Sequence, residues 1–332
     1  MGRSLALVFS IVLAAPPTLR GQDASAPPDS GFVEEPFDVT SSGLLLPGTL
    51  TRPTETSGPI PIAVIVVGSG PTDRNGNGPL VQTDMYAQLA HGLARRGVAS
   101  VRYDKRGIGP SMFTVDHTAL TLDDFVGDVM TVAGAVAADS QYSSVYLVGH
   151  SEGAGLVLQA ANRGAPVAGI AMLSGLGRPL QDVIHDQFLL LTDSLTVQKI
   201  DEAFERFLEG EDVADAPEVA RPLLAPVYRR LIASMAAYDP EAEIARATVP
   251  VLIVQGAMDL QVLEEDAERL HAAQPAAEMI LLPNANHVLK AASTREPAAQ
   301  MATYQDRSIP IVSEVVDGIA DWIDATEETA VP

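Results

Sequence analysis

The sequence Val145-Tyr146-Leu147-Val148-Gly149-His150-Ser151-Glu152-Gly153-Ala154-Gly155 places a serine between two glycines at the end of an apolar run. A short apolar run breaks into Gly-His-Ser-Glu-Gly, and an alanine- and leucine-rich segment follows at once. The pattern predicts a strand, an abrupt turn and a helix, with Ser151 at the apex. A strand that reverses directly into a helix brings two backbones together two residues before and two residues after the apex. Side chains at Gly149 and Gly153 would collide there, and Ser151 is expected in a strained backbone conformation.

The surrounding chain sets limits on partners. Its 332 residues hold 21 Lys+Arg against 43 Asp+Glu, a formal net charge of −22. Such a surface repels nucleic acid and anionic membranes, which makes both poor partners. The N-terminus carries Arg3, an apolar run from Leu5 to Ala15, the breaker Pro16-Pro17 and the small residues Ala24-Ser25-Ala26. This is the layout of a cleaved secretory signal peptide, assigned to residues 1–26, and its apolar run is too short to span a bilayer. The expectation is export to the periplasm or the outside, with no membrane insertion after cleavage. With no cysteine, stability must come from packing alone.

Outward from the elbow, the pattern is that of alternating strands and helices. Two short antiparallel strands are expected between Phe32 and Arg52, with Ser42-Gly43 and Pro47-Gly48 as punctuation. Ile62-Ala63-Val64-Ile65-Val66-Val67 is continuously apolar, as in a strand buried on both faces. It ends in the glycine-rich stretch from Gly68 to Gly78, in which Asp73 and Arg74 are expected to pin the loop by local pairing. A helix to Arg96, closed by Gly97, precedes the strand from Val98 to Tyr103. Thr121-Leu122-Asp123-Asp124 opens the next helix as a capping box. Val167 to Leu173, Val251 to Gln255 and Met279 to Leu282 read as further strands, and Ile311 to Trp322 as a closing helix.

The rhythm stops between Arg178 and Ala247, where apolar residues recur only at helical spacing, including a helix from Leu223 to Tyr238. The fold class expected is α/β, a mainly parallel sheet with helices on both faces. Residues 32–177 form the first part of its core, 178–247 an inserted helical cap and 248–326 the second part.

A serine hydroxyl needs a base within reach and a third group to orient that base. Of the six histidines, His91 and His271 fall within expected helices, and His117 and His185 in irregular stretches without a matching acid. His150 adjoins the serine and is assigned to packing, its side chain directed away from the tip. His287 alone follows a strand end in a late loop, where ligands of open α/β sheets bind. Asp259 likewise follows a buried strand by a short turn. An oxyanion also needs donors. The backbone N–H of Glu152 is one, and the glycine-rich loop after the Ile62–Val67 strand supplies the second, from Ser69 or alternatively Gly70. No His-Glu-x-x-His, cysteine or close histidine pair suggests a metal, and no dinucleotide fingerprint is present.

Four motifs in order carry a resemblance over nearly the whole length, from about Phe32 to Asp324. Gly-Ser-Gly-Pro-Thr-Asp-Arg at 68–74, Tyr103-Asp104-Lys105-Arg106-Gly107-Ile108-Gly109-Pro110-Ser111, Gly-His-Ser-Glu-Gly at 149–153 and Pro250 to Asp259 are similar to those of the α/β-hydrolase superfamily. Within it the chain resembles bacterial carboxylesterases grouped with serine aminopeptidase-like (S33-type) hydrolases. Where many such esterases have His-Gly in the oxyanion loop, this chain has Val67-Gly68. The resemblance implies the chain order Ser151, Asp259, His287 as nucleophile, acid and base. It implies cleavage of a small-molecule carboxylic ester through an acyl-enzyme, with no cofactor. An aminopeptidase or amidase of the same fold is the alternative, and a catalytically silent binding protein a further one, because one fold carries many activities.

Overall fold

The computed structural model describes residues 31–111 and 114–330. The expected signal peptide lies outside the described residues. The chain begins with β1 (Phe32–Pro36), β2 (Val39–Ser41), β3 (Leu44–Leu46), β4 (Gly48–Pro53) and β5 (Ile60–Val66). Then α1 (Met85–Arg95), β6 (Ala99–Tyr103), α2 (Leu122–Ala137), β7 (Tyr142–His150), α3 (Glu152–Asn162) and β8 (Gly169–Leu173) alternate. Four helices follow without a strand: α4 (Leu180–Leu189), α5 (Ser194–Leu208), α6 (Arg229–Ala236) and α7 (Pro240–Ile244). β9 (Val251–Gly256), α8 (Glu264–Ala273), β10 (Glu278–Leu282), α9 (Pro297–Gln305) and α10 (Ser313–Ala330) complete it.

Eight strands form one sheet in the order β1-β4-β6-β5-β7-β8-β9-β10. Pairing is antiparallel between β1 and β4 and between β4 and β6, and parallel from β6 onward. The continuous apolar run of β5 is explained by its two buried faces. Ile62, Val64 and Val66 face the cluster that holds Val126, Val129 and Val132 of α2. Ala63, Ile65 and Val67 face the opposite cluster, with Leu89 and Leu93 of α1 and Val315, Ile319 and Trp322 of α10. Period-two alternation thus feeds two cores from one strand, each buried aliphatic side chain worth roughly 1.5–3 kcal/mol.

Several local expectations are corrected. The Phe32–Arg52 region holds four strands rather than two. Ser42 and Gly43, both at positive φ (48° and 80°), make a two-residue turn that pairs β2 with β3 alone. β1 and β4 pair across that hairpin. The helix expected from Leu223 begins only at Arg229, after a 3₁₀ turn at Pro226–Tyr228. Pro226 lacks the N–H that a continuous helix would need there. α7 and α9, not foreseen, both start with proline in the first turn, a position that favours helix entry. The capping box at Thr121 forms, with the Asp124 carboxylate accepting from the Thr121 N–H at 2.9 Å.

The turn from β7 into α3 brings backbone against backbone. A Cβ on Gly149 would lie 2.2 Å from the Gly153 carbonyl oxygen, and one on Gly153 would lie 2.4 Å from that of Val66. Ser151 sits at φ 55°, ψ −121°, a strained conformation costing on the order of 1–3 kcal/mol. Its N–H is held by the Leu173 carbonyl at 2.8 Å, so the neighbouring strand fixes the strained residue. Gly149→Ala is expected to lower stability by about 3 kcal/mol or more, because backbone atoms rather than a movable side chain occupy the space. Urea unfolding compared with wild type checks it, and an unchanged midpoint would contradict the stated crowding.

Candidate active site

The sheet brings Ser151, Asp259 and His287 to one end. Asp259 follows β9 and is 1% exposed. Its Oδ1 accepts from the N–H groups of Gln261 at 2.8 Å and Val262 at 3.0 Å, which leaves Oδ2 for His287 Nδ1 at 2.8 Å. Burial alone would raise the Asp259 pKa, but His287 and the two N–H donors hold it below the usual carboxylate value. An ionised carboxylate only accepts, so Nδ1 of His287 carries the proton and Nε2 is left as the basic atom. His287 and Ser151 line the same cavity.

The loop carrying His287 is tied to the end of β9. The Met258 N–H donates to the Ala285 carbonyl at 3.0 Å, and a Cβ on Gly256 would lie 2.2 Å from that oxygen. Asn286 donates through Nδ2 to Thr303 Oγ1 at 2.8 Å and accepts the Lys290 N–H at 3.1 Å. These contacts tie together two loops distant in sequence, which sets the Asp259–His287 separation.

Ser69 and Glu152 line the cavity beside Ser151. Neither backbone N–H donates to another group among the described residues. The Gly68 N–H, by contrast, is taken by the Tyr86 hydroxyl at 2.9 Å. Gly68 packs against the elbow closely enough that a Cβ there would lie 3.1 Å from that of Ser151. Lys105 Nζ donates to the Gly68 carbonyl at 2.6 Å and stands 3.8 Å from the Glu152 carboxylate.

His150 departs from its expected role as packing directed away from the tip. Its ring lines the cavity and lies 4.8 Å from the His287 ring, centroid to centroid. Nε2 donates to the His287 carbonyl at 2.8 Å, so Nδ1 is unprotonated and accepts from the Tyr86 hydroxyl at 2.9 Å. A buried chain thus runs from the Gly68 N–H through Tyr86 and His150 to the His287 backbone. No spacing signal in the sequence marks Tyr86, which is one apolar-face residue of α1 among several.

Asp73 pins its loop, accepting from the N–H groups of Asn75 and Asn77 at 2.9 Å each. Arg74 instead reaches across to Asp104, 2.8 Å away, because the end of β6 lies beside this loop. His185 has an acid after all, Asp201 at 2.7 Å, one helix over on α5. His91 stacks on Phe32 and bonds Glu34, His117 lies edge-on to Tyr228, and the buried Nδ1 of His271 has no hydrogen-bond partner among the described residues. Gly70 borders a second cavity that shares Ser69 and Glu152 with the first.

A mainly parallel sheet, a strained serine between strand and helix, and acid and histidine loops at later strand ends define an α/β-hydrolase. The family model described as serine aminopeptidase, S33, matches residues 78–291, and the chain belongs to that family. Among curated proteins it is similar to Esterase EstD of Thermotoga maritima, 29% identical over 294 residues, 87% of this chain and 67% of that one. Among solved structures it is similar to Est1E from Butyrivibrio proteoclasticus with ferulic acid bound (TM-score 0.57, 16% identity, 88% of this chain and 99% of that chain). Proline iminopeptidase of Mycobacterium smegmatis is similar too (TM-score 0.60, 14% identity, 89% and 100%).

Burial, and then the neighbouring His287, pushes the His150 pKa down from 6.5 to about 3. The ring is therefore neutral in the folded protein, while the unfolded chain takes up a proton below pH 6.5. Stability from this residue is full above that pH and is lost as pH falls toward 3, by up to about 1.4 kcal/mol per pH unit. Urea unfolding at pH 7 and pH 5 should show a smaller acid-induced loss in His150→Gln than in wild type. Equal losses would contradict a neutral His150.

Proposed function

We propose that this chain is a serine hydrolase that cleaves carboxylic esters through an acyl-enzyme. The observation that carries the reading is the buried Asp259–His287 pair opening into the cavity that Ser151 lines. The esterase among its relatives supports the ester class. Ser151 Oγ attacks the substrate carbonyl carbon as its proton passes to His287 Nε2. The tetrahedral oxyanion is met by the N–H groups of Glu152 and Ser69, with Gly70 as the alternative second donor. Collapse breaks the bond to the alcohol oxygen, which takes the proton from His287. Water then repeats the sequence on the acyl-enzyme, with His287 again as base, and releases the acid. Asp259 holds the imidazole in its tautomer and stabilises the imidazolium. Residues 178–247 act as the cap, and residues 1–26 direct export.

Ser151→Ala is expected to abolish ester turnover while the protein stays folded. Asp259→Asn should lower kcat on the order of 10⁴-fold, as other orienting acids do. Steady-state rates on p-nitrophenyl butyrate, with fluorophosphonate labelling of wild type, check both. Full activity in either variant, or folded wild type that takes no label, would overturn the reading.

An aminopeptidase is the second reading, favoured by the family's description. Binding a free α-ammonium group calls for an unengaged carboxylate in the cavity. Among the described residues Glu152 is its one acidic lining residue, and that carboxylate stands beside Lys105. Turnover of p-nitrophenyl butyrate is therefore expected to exceed that of aminoacyl p-nitroanilides. Faster cleavage of the anilides would reverse the assignment.

A further inference from the structure

The apolar cavity has a polar end that the hydrolytic residues do not use. Ser151, Gly155 and Gln159 line it from the α3 side. Spaced four residues apart, they fall on one helix face, so Gln159 lies about 12 Å beyond Ser151 along the axis. The Tyr238 ring covers Gly155, its hydroxyl oxygen 3.5 Å from where a Gly155 Cβ would stand. The Tyr238 hydroxyl and Gln159 Nε2 are both buried and have no hydrogen-bond partner among the described residues.

The orientation of the Gln159 amide is settled by its other atom. Oε1 accepts from the Arg163 guanidinium at 2.9 Å. Because a guanidinium only donates, the amide cannot be reversed, and Nε2 is left as a donor. Gln159 is 8% exposed. Buried polar groups are nearly always paired, and two unpaired ones on the wall of one cavity, Tyr238 over Gly155 and Gln159 one turn further along α3, point to a ligand atom. Leu122, Leu180, Ile184 and Met235 give the same cavity an apolar wall.

The character of that ligand atom follows from the groups around it. Burial, with Glu243 and Asp239 nearby, raises the Tyr238 pKa and keeps its hydroxyl a donor. The same two carboxylates disfavour an anionic ligand. Arg178, the cation of the cavity wall, is already engaged by Asp186 at 2.7 Å and Asp266 at 3.0 Å. An ammonium group would face the Nε2 donor. A neutral oxygen acceptor is what remains. The leaving alcohol must stay beside His287 to receive its proton, so the face of α3 leading to Gln159 takes the acyl chain.

We propose that Tyr238 and Gln159 form a distal acyl subsite for a neutral ketone, ether or hydroxyl oxygen carried roughly six to nine bonds from the ester carbonyl. This rests on the serine-hydrolase reading above. The subsite makes the enzyme selective for oxygenated medium-length acyl groups over plain alkyl chains of the same length.

The test compares p-nitrophenyl 7-oxooctanoate with p-nitrophenyl octanoate by kcat/KM in wild type, Tyr238→Phe and Gln159→Met. Wild type is expected to favour the ketone by about tenfold, and each variant to reduce that ratio to about threefold or less. A general loss of folding or activity moves both substrates together and leaves the ratio unchanged. A wild-type ratio near one, or a ratio that survives in both variants, would overturn the subsite and mean that water alone serves the two groups. Calorimetry of methyl 7-oxooctanoate and methyl octanoate on Ser151→Ala reads the same preference without turnover. Ketone preference there, with neither ester hydrolysed by wild type, supports the subsite and rejects the hydrolase reading. Hydrolysis of both esters without preference does the reverse.

Discussion

α3 approaches β7 and β5 closely enough that backbone atoms fill the space beside two glycines. Carbonyl oxygens of Gly153 and Val66 occupy the space that side chains at positions 149 and 153 would need. Only with glycine at both can the helix start directly at the strand end, and only then does Ser151 project from a backbone at φ 55°. The strain is local, whereas the restraint is distributed over β8, which holds the Ser151 N–H, and over the two cores that clamp β7 from either side. A residue in so unfavourable a conformation persists where its surroundings over-determine it.

Much of this was legible in the chain because it depends on backbone crowding and on strand burial. Gly149 and Gly153 announce the elbow by residue type, and the unbroken apolar run at Ile62–Val67 announces a strand with two buried faces. Asp259 and His287 are legible from their places after such strands, and the structure brings both to the end of the sheet where Ser151 stands. What sequence patterning could not show is contact between residues far apart in number. Arg74 meets Asp104 because β6 ends beside its loop, and His185 meets Asp201 across two helices. Tyr86 and His150 carry no periodic mark that separates a core aromatic from a member of a hydrogen-bond chain. The Pro226 break, the hairpin at Ser42-Gly43 and the proline-started α7 and α9 were written in turn chemistry, and apolar periodicity outweighed it in the reading.

The site is built from donors and acceptors whose directions are fixed by third parties. His287 takes its tautomer from Asp259, whose second oxygen is occupied by two backbone N–H groups. His150 takes its tautomer from the His287 carbonyl and passes the constraint to Tyr86 and Gly68. Arg163 does the same for the Gln159 amide at the far end of the cavity. The anchors come from the loops after β9 and β10 and from the C-terminal end of α3, so the geometry of the cavity depends on how the sheet brings these segments together.

The lysine on the Gly68 carbonyl has a consequence for its neighbour. A trans peptide is planar, so the N–H of Ser69 points opposite to the Gly68 C=O. By holding that oxygen at 2.6 Å, Lys105 sets the heading of the Ser69 N–H from the far side of the amide plane. A donor on the carbonyl also draws electron density away from the nitrogen and makes its hydrogen a stronger donor. Lys105 thus acts through a resonance-linked unit on whatever oxygen the Ser69 N–H meets, at a distance and without touching it.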